Sequence, residues 1–125
     1  MKDLFIRDAT ADDAAAISAL VQRTAEVSNR HDYSAEVLAW IVANFAVEKV
    51  ADRMRERHTF VCLLDGRIVG TIGLGGDRLR TLFVEPGLQG SGIGARLVGH
   101  LEAHARRAGV AELKLSSSLT GARLL

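Results

Sequence analysis

The chain has 125 residues and a formal net charge of +1, with 48% hydrophobic and 25% charged residues. This length predicts a single domain over residues 1–125, and the composition is typical of a folded soluble protein rather than a disordered one. The 16 basic and 15 acidic residues nearly balance, which excludes a basic surface for nucleic acid and a charged membrane-binding face. Because no apolar run is long enough for a membrane span or a signal sequence, a cytoplasmic location is predicted.

The first half predicts one strand and two helices. Residues 4–7 form the strand, and Thr10 with the acidic residues after it is typical of a capped helix start. Ser34 can cap the second helix, and Trp40 is expected to pack between the helices. The predicted buried faces are Ile17, Leu20, Val21 and Val27 in the first helix and Leu38, Ile41, Val42 and Phe45 in the second.

The middle of the chain predicts a three-stranded antiparallel meander. Its strands are 59–64, 67–74 and 79–84. Asp65-Gly66 favours a two-residue hairpin turn, and Pro86 ends the third strand because proline cannot donate to a sheet.

A helix over about residues 92–108 and a last strand over 111–117 follow. The helix joins two strands as a β-α-β crossover, so strands 79–84 and 111–117 should be parallel. The predicted order is β-α-α-β-β-β-α-β. This is an α+β fold with a mixed, mostly antiparallel sheet flanked by helices.

The glycine-rich loop between the third meander strand and the last helix is the segment that indicates chemistry. It holds Gly87, Gly90, Gly92 and Gly94. The first amides of a helix have no partner within the helix and lie at the positive end of its dipole. Because glycines also let a ligand approach the backbone closely, the loop predicts a binding site for a phosphate-bearing ligand.

Two nucleotide-binding motifs, the Walker loop and the dinucleotide fingerprint, also contain spaced glycines. A Walker loop requires lysine and then serine or threonine where Ala95-Arg96 stands, so that motif is excluded. Gly90-x-Gly92-x-x-Ala95, with Glu112 twenty residues after Gly92, fits the letters of a dinucleotide fingerprint. The preceding meander and Pro-Gly turn are the wrong context for that fold, and a dinucleotide-binding fragment stays as a lesser alternative.

The same segment resembles motif A of the GNAT superfamily of N-acetyltransferases. The family pattern Gln/Arg-x-x-Gly-x-Gly/Ala is matched by Gln89-Gly90-Ser91-Gly92-Ile93-Gly94. The approach Leu82-Phe83-Val84-Glu85-Pro86 and the helix segment Leu97-Val98-x-x-Leu101-Glu102-x-x-Ala105 also match. With the opening Phe5-Ile6-Arg7 and the hairpin Asp65-Gly66-x-Ile68-Val69-Gly70, the resemblance covers roughly residues 4–118.

This resemblance implies an N-acetyltransferase that moves an acetyl group from acetyl-CoA to an amine of a small molecule or peptide by direct attack. Loop amides would hold the pyrophosphate, and the strand backbone would pair with the pantetheine arm and stabilise the developing oxyanion near Val84. The implied acyl-CoA-binding residues are Phe83, Val84, Gln89, Gly90, Ser91, Gly92, Ile93, Gly94 and Ala95. Asp32 and Tyr33 are implied to line the acceptor site, with a simple turn as the alternative.

The sequence departs from the family pattern after the last predicted strand. The usual C-terminal helix and hairpin are missing, and the tyrosine that often serves as general acid has no counterpart. Only Asp77 and Glu85 flank the strand where the family places a carboxylate base, so the catalytic residues stay unassigned. The open edge of strand 111–117 favours a homodimer that covers it. A non-catalytic acyl-CoA-binding module is the alternative function.

No metal site is predicted. His100 and His104 share a helix face, but Glu102 is not where a zinc-protease motif requires its glutamate, so a solvated face is expected. Cys62 is the single cysteine, which excludes an intrachain disulfide, and its apolar neighbours predict a place in the core.

Overall fold

The computed structural model describes residues 4–28, 34–88, 90–110 and 112–115. The strands are β1 (Leu4–Asp8), β2 (His58–Leu64), β3 (Arg67–Gly75), β4 (Arg78–Val84) and β5 (Lys114–Leu115). The helices are α1 (Ala14–Ser28), α2 (Ala35–Asn44), α3 (Val47–Glu56) and α4 (Ile93–Arg107). Single 3-10 turns lie at Ala11–Asp13 and Pro86–Leu88. None of the helices within these ranges is long and apolar enough to cross a membrane.

The strands form one sheet in the order β1-β2-β3-β4-β5. The first four strands pair antiparallel, and β5 pairs parallel with β4. The predicted α+β class, the meander and the parallel crossover are therefore confirmed. The predicted 111–117 strand is described at Lys114 and Leu115, and its other residues, apart from 112 and 113, lie outside the described ranges.

Helix α3 is one element more than the predicted order contains. Charged residues dominate this segment and conceal its apolar positions in the sequence. Glu48, Lys49 and Asp52 are exposed, but Val50 is buried and Met54 is partly buried in a hydrophobic core. The observed order is therefore β-α-α-α-β-β-β-α-β.

Helices α1, α2 and α3 cover one face of the sheet. Their core includes Ile17, Leu20, Val21, Ile41, Phe45 and Val50, packed with Val61, Ile68 and Phe83 of the sheet. Two predicted core positions are wrong: Val27 is 59% exposed and Val42 is 51% exposed, because each lies on the outer side of its helix. Trp40 is also half exposed, with its ring edge against Phe45 at 6.3 Å between centroids.

Helix α4 covers the opposite face. Its seam consists of Ile93, Leu97, Leu101 and Ala105, which recur at helical spacing and are all buried. Gly70 of β3 permits this close packing: a Cβ there would lie 2.9 Å from Leu97 Cδ1 and 3.2 Å from Ile93 Cγ2. Cys62 is buried in this core as predicted, and burial raises the pKa of its thiol.

Strand β4 contains a bulge that changes which residues face each helical layer. Gly73 pairs with Thr81 and Leu74 with Leu79, so Arg80 is the extra residue. A bulge bends its strand and increases the local twist. The described pairing with β5 lies at Arg78 and Leu79, on the N-terminal side of this bulge.

Asp13 joins β1 to the start of α1. Its carboxylate accepts hydrogen bonds from Arg7 Nη1 at 2.8 Å, Arg7 Nη2 at 3.1 Å and the Thr10 backbone N–H at 2.8 Å. The bonds from Arg7 hold the pKa of Asp13 below its ordinary value and outweigh burial, which acts in the opposite direction.

Stability should fall in acid through Asp13. Because its pKa is lower in the folded than in the unfolded chain, its contribution is complete above the unfolded pKa of about 3.9 and is lost as pH falls through the folded pKa. Asp13→Asn should destabilise the protein at neutral pH and reduce this acid loss, measured by urea unfolding over a pH series. Asp12→Asn changes an exposed carboxylate of the same turn and should alter neither quantity. An undiminished acid loss in Asp13→Asn would contradict this origin.

Candidate functional site

The glycine loop between β4 and α4 passes twice through left-handed backbone. Gly90 has φ 87° and Gly92 has φ 91°. Gly92 is the N-cap of α4 and offers no capping side chain. A Cβ at Gly90 or Gly92 would meet nothing within 4 Å, so glycine is favoured there by backbone conformation and the adjoining space is open.

The N-terminus of α4 presents four backbone donors. The first intrahelical bond runs from the Arg96 N–H to Gly92 O at 3.1 Å, so the preceding amides of Gly92, Ile93, Gly94 and Ala95 lie before the start of the helical ladder. In the described ranges none of the four donates to another residue. Unpaired amides at the positive end of a helix dipole are suited to binding an anion.

The loop that leads to these amides is held by its own backbone. The Leu88 N–H donates to Glu85 O at 2.9 Å, and the Ser91 N–H donates to Leu88 O at 3.2 Å. The Ser91 hydroxyl also donates to Leu88 O, so this predicted binding residue uses its side chain to support the loop. The Glu85 N–H donates to Val69 O at 2.8 Å and anchors the loop entrance to β3.

Glu85 is clamped by Arg23 of α1. The Arg23 Nη2–Glu85 Oε1 distance is 2.6 Å and the Nε–Oε2 distance is 3.1 Å, a bidentate pair whose carboxylate side chain is only 16% exposed. The bonds from Arg23 lower the pKa of Glu85 against the opposing effect of burial. A carboxylate with a lowered pKa and both oxygens engaged is a poor general base, and its role here is to fix α1 to the loop.

The structure brings the described part of the predicted cofactor site to one end of the sheet. Phe83 is buried toward α1 and α2, and its ring meets Phe45 edge-on at 5.4 Å between centroids. Val84 lies beside the loop, since a Cβ on Gly94 would be 3.8 Å from Val84 Cγ2. Asp77 occupies the turn before β4, at the other end of that strand. Gln89, Asp32 and Tyr33 lie outside the described residues.

The two histidines of α4 do not form the solvated face that was expected. Both are half-buried against Phe60, at centroid distances of 4.7 Å for His100 and 5.3 Å for His104. His58 of β2 stacks on His104 at 4.0 Å. Burial lowers the pKa of His104, and the neighbouring His58 and Arg107 act in the same direction. Within the described ranges, no three histidine, cysteine or acidic side chains converge as a metal site.

A cleft on the opposite face of the sheet was missed by sequence reasoning. Its empty volume is about 370 Å³ including the open mouth, and it lies between α1, α3 and the central strands. The polar residues that line it are Arg53, Arg57, Thr59, Thr71 and Thr81. The available signal was the recurrence of threonine at inward positions of three adjacent strands, together with arginines on a helix that packs on them.

The chain matches the model of the Acetyltransferase (GNAT) family over residues 15–123. A GCN5-related N-acetyltransferase from Rhodopseudomonas palustris is 30% identical, with a TM-score of 0.86 over 98% of this chain and 78% of that one. A GNAT family acetyltransferase from Brucella melitensis, solved with acetyl-CoA, is 25% identical, with a TM-score of 0.69 over 98% of this chain and 81% of that one. None of the curated proteins matches.

The fold likeness extends to more distant structures. The PaiA N-acetyltransferase of Thermoplasma acidophilum, solved with coenzyme A, is 17% identical and has a TM-score of 0.75 over 86% of this chain and 75% of that one.

The family match covers most of the chain, so this protein belongs to the GNAT acetyltransferase family. The mostly antiparallel sheet and this membership favour the acetyltransferase interpretation over the dinucleotide-binding alternative.

The backbone conformation of the loop makes a prediction that needs no ligand. Gly90→Ala should lower the free energy of unfolding by about 1–2 kcal/mol, because alanine is disfavoured in left-handed backbone. Gly87→Ala is the matched control, since a Cβ there also meets open space but the backbone is not left-handed. When the free energy of unfolding of both variants is measured by urea titration, Gly87→Ala should be neutral or slightly stabilising. Equal losses in the two variants would show that loop conformation is not the cause.

Proposed function

We propose that this chain is an N-acetyltransferase that transfers the acetyl group of acetyl-CoA to an amine of a small molecule or peptide. The observation that carries the proposal is the set of amides at Gly92, Ile93, Gly94 and Ala95, which have no acceptor among the described residues and lie beside the end of β4. Family membership supports the reaction class. That two structurally similar acetyltransferases were solved with coenzyme A or acetyl-CoA supports the choice of ligand.

The residues of the loop fit a diphosphate. Several amides point out of one short segment, and the open space at the Cβ positions of Gly90 and Gly92 leaves room for close approach. The proposed diphosphate ligands are the backbone amides of Gln89, Gly90, Gly92, Ile93, Gly94 and Ala95. Ser91 belongs to the same proposed site but supports the loop, because its own N–H donates to Leu88 O. The backbone of Phe83 and Val84 is proposed for the pantetheine arm, and Asp32 and Tyr33 for the acceptor.

Acetyl-CoA, when bound, supplies a thioester whose acyl carbon is open to attack by an amine. The amine nitrogen must arrive neutral; it forms the C–N bond as the C–S bond breaks, gives up a proton, and coenzyme A leaves as the protonated thiol. Glu85 contributes by holding the loop through Arg23, and its lowered pKa makes it unsuited to take the amine proton. The alternative function, a non-catalytic acyl-CoA-binding module, is distinguished by one measurement. Such a module would bind acetyl-CoA but release no thiol with any amine.

A homodimer and a cytoplasmic location are further parts of the proposal. In the described sheet β5 stands at one edge, and an edge strand is a ready surface for pairing with a second chain. Light scattering on the purified protein should then give twice the chain mass of 13.5 kDa. A mass equal to one chain would contradict the dimer and leave the reaction untouched.

Gly92→Glu should abolish coenzyme A binding, because a side chain and a negative charge would occupy the phosphate position. Binding by isothermal titration should fall more than about a hundredfold, as expected when several charge-assisted hydrogen bonds are lost together. Gly92→Ala carries the same backbone strain without the charge and should lose much less.

Gly99→Glu adds the same charge to an exposed position of α4 where a Cβ meets open space. It should bind coenzyme A as the unmodified protein does. Normal binding by Gly92→Glu, with its fold intact by circular dichroism, would show that the diphosphate lies elsewhere.

A further inference from the structure

Arg53 brings a guanidinium group into the layer between α3 and the sheet. Its Nη1 is buried and has no hydrogen-bond partner among the described residues. Its Nη2 donates to Asn44 Oδ1 at 3.3 Å, and its Cζ lies 4.6 Å from the centroid of the Phe45 ring. A buried cationic donor without an acceptor is unfavourable, so the position calls for an acceptor from outside the described chain.

The cleft that Arg53 lines carries net positive charge. Arg57 also lines it, and the side chain of Arg80 lies alongside, since both would approach a Cβ placed on Gly75. No acidic residue is among the described residues that line the cleft. The negative charge of Glu56 raises the pKa of both Arg53 and Arg57. Burial lowers the pKa of both arginines, and Arg80 adds to this at Arg57, yet a guanidinium stays charged at neutral pH.

The floor of the cleft supplies hydroxyl groups. Thr71 Oγ1 donates to Phe60 O at 3.0 Å, whereas the hydroxyls of Thr59 and Thr81 have no partner in the described ranges. Those two threonines are the cross-strand neighbours of Gly73. A Cβ on Gly73 would lie 2.8 Å from Thr81 Oγ1 and 3.9 Å from Thr59 Oγ1, so the glycine keeps the space between the hydroxyls open.

We propose that this cleft binds the carboxylate of the acceptor, so that the acetylated substrates are amines that also carry a carboxylate group. A guanidinium offers parallel N–H donors that match the two oxygens of a carboxylate, and the threonine hydroxyls can donate to the same group. The cleft also reaches Phe83, the residue before Val84. A molecule whose carboxylate lies at Arg53 can therefore extend its amine toward the end of β4.

That the bound molecule is acetylated on its amine rests on the proposed acetyl transfer. Binding of its carboxylate in the cleft can be measured without that reaction. Sodium propionate and propionamide have the same shape and differ in charge. In titrations followed by protein NMR without coenzyme A, the unmodified protein should bind propionate saturably and propionamide not at all. Inorganic phosphate is the third probe, and binding is read from the signals of the cleft residues Thr59, Thr71 and Thr81, so that phosphate at the glycine loop is not counted. Tighter binding of phosphate than of propionate at those signals would overturn the assignment to a carboxylate.

Arg53→Gln should weaken propionate binding about 10- to 100-fold, the range expected for losing a hydrogen-bonded charge. Arg55→Gln removes the same charge from the exposed side of α3, where Arg55 pairs with Asp52, and should bind as the unmodified protein does. Gly73→Ala keeps every charge, fills the floor and should also weaken binding. The inference is overturned if propionate does not bind, if propionamide binds equally, or if Arg53→Gln behaves like Arg55→Gln.

The acceptor role is tested by thiol release from acetyl-CoA with amino acids and their carboxamides as paired acceptors. Free amino acids should react with a lower KM, and Arg53→Gln should raise that KM about 10- to 100-fold while leaving coenzyme A affinity unchanged. Equal use of acids and amides, with coenzyme A bound normally, would overturn this inference alone. Failure of coenzyme A to bind would instead overturn the proposed acetyl transfer, and propionate binding would show whether the cleft still holds a carboxylate.

Discussion

The packing of α4 against the sheet is the constraint on which the proposed site depends. Four buried side chains form its seam, and Gly70 lets the helix approach β3 closely. Ile93, Leu97 and Leu101 each contribute about 1.5–3 kcal/mol through burial, whereas a charge at an exposed helix terminus contributes about 0.3–1 kcal/mol. The hydrophobic seam therefore fixes the position of the helix, and the left-handed backbone at Gly90 and Gly92 leads into first-turn amides that have no acceptor in the described part of the chain.

The other face of the sheet places a second kind of donor beside the same strand. Alternation along the end of β4 directs Leu82 toward α4, whereas Thr81 and Phe83 face α1 and α3. Strand β4 thus leads at its C-terminal end to backbone amides, and guanidinium and hydroxyl groups lie along its face toward α1 and α3. The Arg23–Glu85 pair connects the two layers, because it ties α1 to the entrance of the glycine loop. This arrangement suits the proposed transfer of an acetyl group between two anionic ligands whose charges must be kept apart.

Features set by short-range chemistry could be predicted from the sequence. The hairpin turn is an example, since Asp65 and Gly66 both adopt positive φ, as a two-residue turn requires. Ser34 caps α2 by accepting the Val37 N–H at 3.2 Å, and the seam of α4 follows its helical spacing. The left-handed loop glycines could also be predicted from the sequence, because the range of φ that a residue tolerates depends mainly on its own side chain.

Features set by contacts between distant segments could not be predicted in this way. Arg23 and Glu85 are 62 positions apart, and neither residue's neighbours in the sequence indicate the other. Helix α3 could not be predicted from the sequence, because most of its residues are charged and its buried face consists mainly of Val50 and Met54. The same charges made Arg53 resemble a surface residue, although Asn44 and Phe45 hold it against the sheet.

The central claim is that the free amides at the start of α4 bind the diphosphate of coenzyme A. Its most direct test is a protein NMR titration that compares coenzyme A with pantetheine, which has the same arm and no phosphate. The amide signals of Gly92, Ile93, Gly94 and Ala95 should move strongly with coenzyme A and stay in place with pantetheine, whose affinity should be far weaker. Equal affinity for the two ligands, or coenzyme A binding that leaves those amide signals unmoved, would contradict the claim.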